Sequence, residues 1–232
     1  MRTLTVILLC GFVSIAAAQN VTVRKLHGDV LVRHGVAESW NSVAVGDVLK
    51  PDDTIKTGEK GAAVLVVDGH KHIALPSEVI VDVSDIRDLS QEELMLKLAM
   101  EKVRASSYQW KNDEMNIPNA PIMHGANREP VVPLNENEVS VGRFEWNGAK
   151  VLYDNGYYST SALKAMDVLR RYPPLGEEFD HRLLVAQALE RANLRGEALS
   201  EYVSLAQSGK FTSWQHEIAK QGIARLRKES SN

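Results

Sequence analysis

The hydrophobic pattern of the chain changes period near residue 85. Up to that point apolar residues come in short Val- and Ile-rich runs bounded by Gly, Pro, Asp or Asn, the pattern of strands and turns. These runs predict strands near 21–25, 29–34, 47–49, 54–57, 62–67, 71–75 and 79–83. Asp68-Gly69 separates two of them, where a tight hairpin needs positive φ. Beyond Asp85, Ser90 and Glu93 have the spacing of a capping box. Leu94, Met95, Leu98, Ala99 and Val103 then recur at helical spacing and predict a helix over 89–106, starting at about 91, with this stripe turned to core or domain packing.

Residues 107–137 turn polar and contain Pro118, Pro121, Pro130 and Pro133. Prolines remove backbone donors and fix φ, so this stretch reads as a linker or long loop. From 138 to 232 the pattern is helical, with helices expected at 144–155, 159–171, 180–192, 197–207 and 214–228. In the last, Ile218, Ile223 and Leu226 are expected to face inward, and Arg225, Arg227 and Lys228 suit the negative end of the helix dipole.

A weak internal repeat runs through this region. Asn155-Gly156-Tyr157-Tyr158 precedes Ala162-Leu163, and Leu194-Arg195-Gly196-Glu197 precedes Ala198-Leu199, placing the two alanines 36 residues apart. The region resembles a degenerate tetratricopeptide array, whose period is about 34 residues. A compact helical bundle is the alternative.

The first residues change the expected compartment. Arg2 gives a positive start, Leu4 to Ala17 is apolar, and Ala16-Ala17-Ala18 precedes Gln19. This is the form of a signal peptide over 1–18, cleaved after Ala18, and it implies a periplasmic or secreted protein. The apolar run falls short of the about 20 residues a bilayer needs, so no stable membrane span is expected after cleavage. The only cysteine, Cys10, lies within this leader. Leu9 before it is larger than the small residue that usually precedes a lipidated cysteine, so lipidation is not expected. The mature chain would then carry no disulfide.

Composition adds exclusions. With 232 residues, 44% of them hydrophobic and 25% charged, the chain is long enough for one or two packed domains. A net charge of −3 with dispersed Lys and Arg gives no clustered basic face, so nucleic acid is not expected as a partner.

The β-like stretch carries an ordered set of residues: Gly28-Asp29-Val30, Trp40, Gly46-Asp47-Val48-Leu49, Ile55-Lys56-Thr57-Gly58, Ala63 to Gly69, and Leu75-Pro76-Ser77-Glu78-Val79. This order, over about a quarter of the chain, resembles the FecR domain family, a periplasmic module first associated with ferric-citrate signalling in bacteria. The resemblance implies an all-β sandwich over 19–88 in which these residues are scaffold. Gly46, Gly58 and Gly69 would supply turn conformations, and Thr57 would bond turn backbone. Pro118 to Gly125 resembles a motif that often follows such domains, with His124-Gly125-Ala126 in place of the usual Arg-Gly-Thr. No second long apolar run follows the leader, so signalling across a membrane by this chain alone is not expected.

Candidate chemistry is sparse. Seven histidines raise a metal reading. His70 and His72 would share one face of a strand, but a catalytic zinc needs three protein ligands and no fitting third is identifiable. His181 and His216 stand alone and read as packing or solvent-facing residues. The pairs Glu92-Glu93, Glu177-Glu178 and Asp52-Asp53 read as a helix start and solvated turns, since adjacent side chains diverge. No nucleophile elbow, phosphate loop or dinucleotide fingerprint occurs. The expectation is an α+β multi-domain chain: an all-β FecR-like sandwich followed by an all-α repeat-like region. It is expected to be a non-enzymatic envelope scaffold or adaptor with no catalytic, cofactor or metal residues, binding an envelope protein. The alternative is a sensor of glycan, peptidoglycan or small solute that acts through a membrane partner.

Overall fold

A computed structural model describes residues 20–112 and 135–229, with the backbone path alone for 106–112 and 229. The expected leader over 1–18, the four prolines of the linker and the 118–125 motif lie outside the described residues.

The N-terminal part holds β1 (Val21–His27), β2 (Val30–His34), β3 (Asn41–Ser42), β4 (Val48–Leu49), β5 (Asp53–Thr57), β6 (Ala62–Val67), β7 (Lys71–Leu75) and β8 (Ile80–Asp82). They form two four-stranded antiparallel sheets, ordered β4-β1-β6-β7 and β3-β2-β5-β8. Strand alternation decides what is buried. Val21, Val23, Leu65, Val67, Ile73 and Leu75 of the first sheet share one apolar cluster with Val30, Val32, Ile55 and Val81 of the second. Each such side chain contributes about 1.5–3 kcal/mol on burial. β3 was not legible as a strand: Asn41 and Ser42 are polar and exposed, and they pair only with Val32 and Leu31.

The turns follow local chemistry. Asp68 (φ 50°) and Gly69 (φ 76°) both adopt the left-handed conformation that a twisted hairpin favours. His70 belongs to this turn, its Nδ1 donating to the Asp68 carbonyl at 2.9 Å, and β7 begins only at Lys71. His70 and His72 therefore do not share a strand face. Gly46 (φ 97°) is a turn glycine, whereas Gly58 serves close approach, since a β-carbon there would stand 3.2 Å from Cβ of Asp29. Thr57 donates to the Pro76 carbonyl at 2.6 Å and accepts from the Val79 amide at 3.0 Å. Asp53 is not a solvated turn residue. It is buried and accepts from the Lys50 amide and from His34 Nδ1, each at 2.8 Å.

After a short 3₁₀ turn at Val83–Asp85 come α1 (Gln91–Asn112), α2 (Glu136–Asp154), α3 (Tyr158–Arg171), α4 (Phe179–Arg191), α5 (Arg195–Gln207) and α6 (Ser213–Glu229), with a 3₁₀ turn at Pro173–Glu177 between α3 and α4. The expected linker is thus helical at both ends. α2 starts eight residues before the expected 144, where Asn135 and Glu138 form a reciprocal capping box at 2.9 and 2.8 Å. Val139, Val141 and Gly142 have weak helix propensity and hid this start. At α1, Ser90 accepts from the Glu93 amide at 3.2 Å, but the Glu93 carboxylate is taken by Arg87, so the box predicted there is half formed.

α1 also corrects the predicted stripe. Leu94 and Leu98 enter the helical core, while Met95, Ala99 and Val103 are exposed. The helices pack in series, α2 on α3 through α5 on α6, and α2 lies across β7 and β8. Val151, Leu152 and Tyr157 thereby join the β core, and Trp146 and Ala149 join the helical one. Among the described residues no helix is long and apolar enough to cross a membrane.

The α2–α3 and α4–α5 turns make the same hydrogen bonds. Tyr157 N donates to Leu152 O and Gly156 N to Tyr153 O; Leu194 N donates to Leu189 O and Asn193 N to Glu190 O. Both are Schellman closures with a left-handed residue at the turn, Gly156 (φ 85°) and Asn193 (φ 62°). They match at an offset of 37 residues, so Ala198 corresponds to Ser161 rather than to Ala162.

Candidate functional site: a charged cleft between sheet and helices

The outer face of the second sheet is polar along one row. The register sets Arg33 of β2 beside Thr54 of β5, and Thr54 beside Asp82 of β8. Their side chains are joined in that order: Arg33 Nη2 donates to Thr54 Oγ1 at 3.3 Å, and Thr54 Oγ1 donates to Asp82 Oδ1 at 2.7 Å. Lys164 of α3, only 8% exposed, donates to the other Asp82 oxygen and reaches Asp85 at 3.6 Å. This chain of bonds ties the sheet to the helices.

A cleft of about 440 Å³ opens beside it, walled by the second sheet, α1, α2 and α3. That volume falls in the small-molecule range. α3 contributes Thr160, Lys164, Asp167 and Arg171, a polar stripe at helical spacing. Arg171 Nε donates to Asp167 at 2.7 Å and its terminal nitrogens to Glu145 of α2. Across the cleft, buried Glu101 of α1 accepts from Arg170 Nε at 2.6 Å and pairs with Arg104 at 3.4 Å. Every carboxylate lining the cleft is ion-paired with a resident cation.

The charges are tuned by this arrangement. Burial opposes the charge of Lys164, but Asp85 and Asp82 outweigh it and hold the ammonium above the ordinary lysine range. Burial raises Asp82, yet Lys164, Thr54 and Arg33 together leave it below the ordinary carboxylate range. Asp85 goes the other way, raised by burial and by neighbouring Asp82 more than Lys164 and Lys97 lower it. The cleft is a charge-matched joint whose acids are occupied by cations, an arrangement that holds the sheet and the helices together.

A cationic and aromatic cluster borders the same sheet. The Arg33 guanidinium lies 5.2 Å from the Trp40 ring centre, and Lys56 Nζ lies 5.6 Å from Trp40 and 5.4 Å from Phe144 of α2.

A second feature is the outward side of α1. Met95, Leu96, Met100 and Val103 are 45% to 67% exposed there, opposite buried Leu94 and Leu98. His181 and His216 are held by backbone: His181 Nδ1 donates to the Leu175 carbonyl at 2.8 Å with its ring 4.3 Å from Trp146, and His216 Nε2 donates to the Ser208 carbonyl at 2.7 Å. Among the described residues no three His, Cys, Asp or Glu side chains gather as a metal site.

None of the cleft residues stood out in the sequence as a site. Two signals were present: Thr54 and Asp82 are polar residues alternating with buried Ile55 and Val81, and α3 repeats polar residues at 160, 164, 167 and 171. What joins them is tertiary, since Asp82 and Lys164 are 82 residues apart. No protein-family model, curated protein or solved structure matches the chain.

Proposed function

We propose that this is an exported, non-enzymatic FecR-like envelope protein that acts as a protein-binding scaffold. The observation that carries this reading is α1, a helix with apolar side chains on opposite faces, one packed in the core and one presenting Met95, Leu96, Met100 and Val103 to solvent. Contiguous exposed apolar surface marks interaction sites, and methionine suits adaptable contacts.

Other observations support the parts of the proposal. Two sheets sharing one apolar cluster suit a FecR-like sandwich. Matching Schellman turns at a 37-residue offset suit tetratricopeptide-like repeats. Saturation of the cleft carboxylates by Lys and Arg disfavours general-base chemistry and so suits a non-enzyme. The leader-like first 18 residues suit a periplasmic or secreted product.

The test is photocrosslinking in cells from positions 96 and 103, with exposed Glu59 on the β module as control. One discrete envelope protein, identified by mass, at 96 and 103 but not at 59 supports the scaffold. Indistinguishable or absent adducts at all three positions refute it.

The cleft favours a second reading, a sensor of glycan, peptidoglycan or small solute whose helices relay occupancy. A ligand at 100 times its dissociation constant would add about 2.7 kcal/mol to stability. Thermal shifts with muropeptides and envelope glycans measure this, and an unchanged melting temperature with all of them rejects sensing.

A further inference from the structure

Arg33 differs from the other cations that line the charged cleft. Lys97 pairs with Glu93 at 3.5 Å and Arg104 with Glu101 at 3.4 Å, while Arg171 and Lys164 are each shared between two carboxylates. Among the described residues no carboxylate pairs with Arg33. Its hydrogen bond goes to a neutral hydroxyl, Thr54 Oγ1, and Asp82 beyond that hydroxyl is held by Lys164. The Nε of Arg33 is shut off from solvent and has no acceptor among the described residues. A buried donor left in this state is costly and calls for a partner. Lys56, two residues from Thr54 on the same face of β5, also has no carboxylate partner among the described residues. Both cations lie over the Trp40 ring, 5.2 and 5.6 Å from its centre, so aromatic surface rather than an acid holds them there.

A planar guanidinium matches the paired oxygens of a carboxylate or phosphate, which is why arginine serves in their recognition. The acids of the cleft are already matched by their own cations, so Arg33 is the charge still available to an entering anion. We propose that the sheet end of the cleft binds the carboxylate or phosphate group of a small anionic solute, held by Arg33 with Lys56 beside it, the body of the solute lying in the cleft of about 440 Å³ against α3. The oxyanion takes the unused terminal N–H groups of Arg33 and, with a small turn of the guanidinium, the Nε–H that has no acceptor. The proposal rests on the sensor reading of the cleft and names the charge that its solute carries.

The probes are inorganic phosphate and, separately, acetate, titrated into the full chain at an ionic strength held constant with sodium chloride. The readout is the nitrogen–proton NMR signal of Arg33 Nε–H, assigned by its loss in Arg33→Lys. A saturable shift is expected with these oxyanions and not with chloride. Tighter binding of acetate assigns a carboxylate solute, and tighter binding of phosphate a phosphorylated one. Followed at the Trp40 indole N–H, Arg33→Gln should weaken binding about tenfold or more, as loss of a charge-assisted hydrogen bond implies. Arg33→Lys, which keeps the charge and loses the fork, should also bind more weakly than the unaltered chain. Lys97→Gln, which removes a paired cation from the same cleft, should leave binding unchanged, and circular dichroism melts confirm that each variant is folded. An Arg33 signal unmoved by both ions, or one that drifts without saturating, overturns the proposal. So does equal weakening by Arg33→Gln and Lys97→Gln, which assigns the effect to the general charge of the cleft. Neutral glycans that raise the melting temperature while both ions leave Arg33 unmoved keep the sensor reading and remove the anion site. A saturable Arg33 shift without any glycan response does the reverse for glycan sensing.

Discussion

Gly148 of α2 lies so close to Ile80 of β8 that a β-carbon on the glycine would stand 2.0 Å from the Ile80 carbonyl oxygen. The obstacle is strand backbone, which cannot swing aside as a side chain can. α2 is therefore held against the second sheet by the absence of a side chain at one position, next to Ala149 and two residues from Trp146, both in the helical core. This approach fixes the geometry of the cleft wall that carries Glu145.

Gly148→Ala is expected to destabilise the protein by about 2–3 kcal/mol, the overpacking range, although alanine exceeds glycine in helix propensity by about 1 kcal/mol. Gly196→Ala supplies the contrast. Gly196 lies in the first turn of α5 with nothing within 4 Å of its would-be β-carbon, so the propensity gain should appear as a small rise in stability. Urea denaturation of both variants reads the two signs, and a neutral Gly148→Ala would refute the close-packing argument.

Lys164, Asp82 and Asp85 predict distinct pH responses. Lys164 titrates above its ordinary value in the folded protein, so its contribution is complete below about pH 10 and is lost as pH rises through the folded value. Lys164→Met leaves two carboxylates without their shared cation and should cost about 3 kcal/mol at pH 7. Its deficit relative to the unaltered protein should shrink above pH 10. Asp82 is held low, so its contribution is present above about pH 4 and lost as pH falls through the folded value. Asp85 is held high, so its charge opposes folding once pH exceeds about 4. Asp82→Asn should therefore destabilise at pH 7, and Asp85→Asn should be neutral or stabilising. Denaturation midpoints from pH 3 to 11 check the order, and Asp85→Asn as the more damaging change would contradict it.

Local chemistry was legible where one residue type settles the backbone. Asp68-Gly69 announced its hairpin, and the Val- and Ile-rich runs bounded by turn residues announced strands such as β1, β6 and β7. α1 misled, because Leu94, Met95, Leu98, Ala99 and Val103 all satisfy helical spacing while only Leu94 and Leu98 are buried in the helical core. Periodicity cannot rank two apolar faces on one helix. The cleft was hidden for a different reason: Arg33, Thr54, Asp82 and Lys164 come from four elements, and the sheet register that aligns the first three is not a property of any one strand. The expected match of Ala162 with Ala198 misses by one residue the offset at which the two turns correspond, because the alanines look alike whereas the turn hydrogen bonds recur 37 residues apart and set Ala198 against Ser161.

Thr57 supports the β7–β8 corner through one hydroxyl that both donates and accepts, bonding Pro76 O and Val79 N from a fully buried position. Valine matches its shape and removes both bonds. Thr57→Val should cost about 2–4 kcal/mol, because a buried polar group left without a partner costs about 1–3 kcal/mol. Thr57→Ser keeps the hydroxyl and should lose only about 1 kcal/mol for the missing methyl. Hydrogen exchange at Val79 separates bond loss from general destabilisation, since its amide should lose protection in Thr57→Val far more than in Thr57→Ser. Equal protection in the two variants would contradict the role of the hydroxyl.

Asn193 closes the α4–α5 turn at φ 62°, where its counterpart Gly156 closes the α2–α3 turn at φ 85°. A side chain in this region costs about 1–2 kcal/mol for most residues, less for asparagine and nothing for glycine. Asn193→Gly should therefore stabilise the protein by a few tenths of a kcal/mol or more, and Asn193→Val should destabilise it by more than 1 kcal/mol. Gly156→Val should do comparable damage, and Gly156→Asn much less. If the two turns are one device used twice, the four changes fall into matched pairs in thermal melts. A large cost for valine at 156 with none at 193 would break the correspondence between the turns and with it the repeat reading.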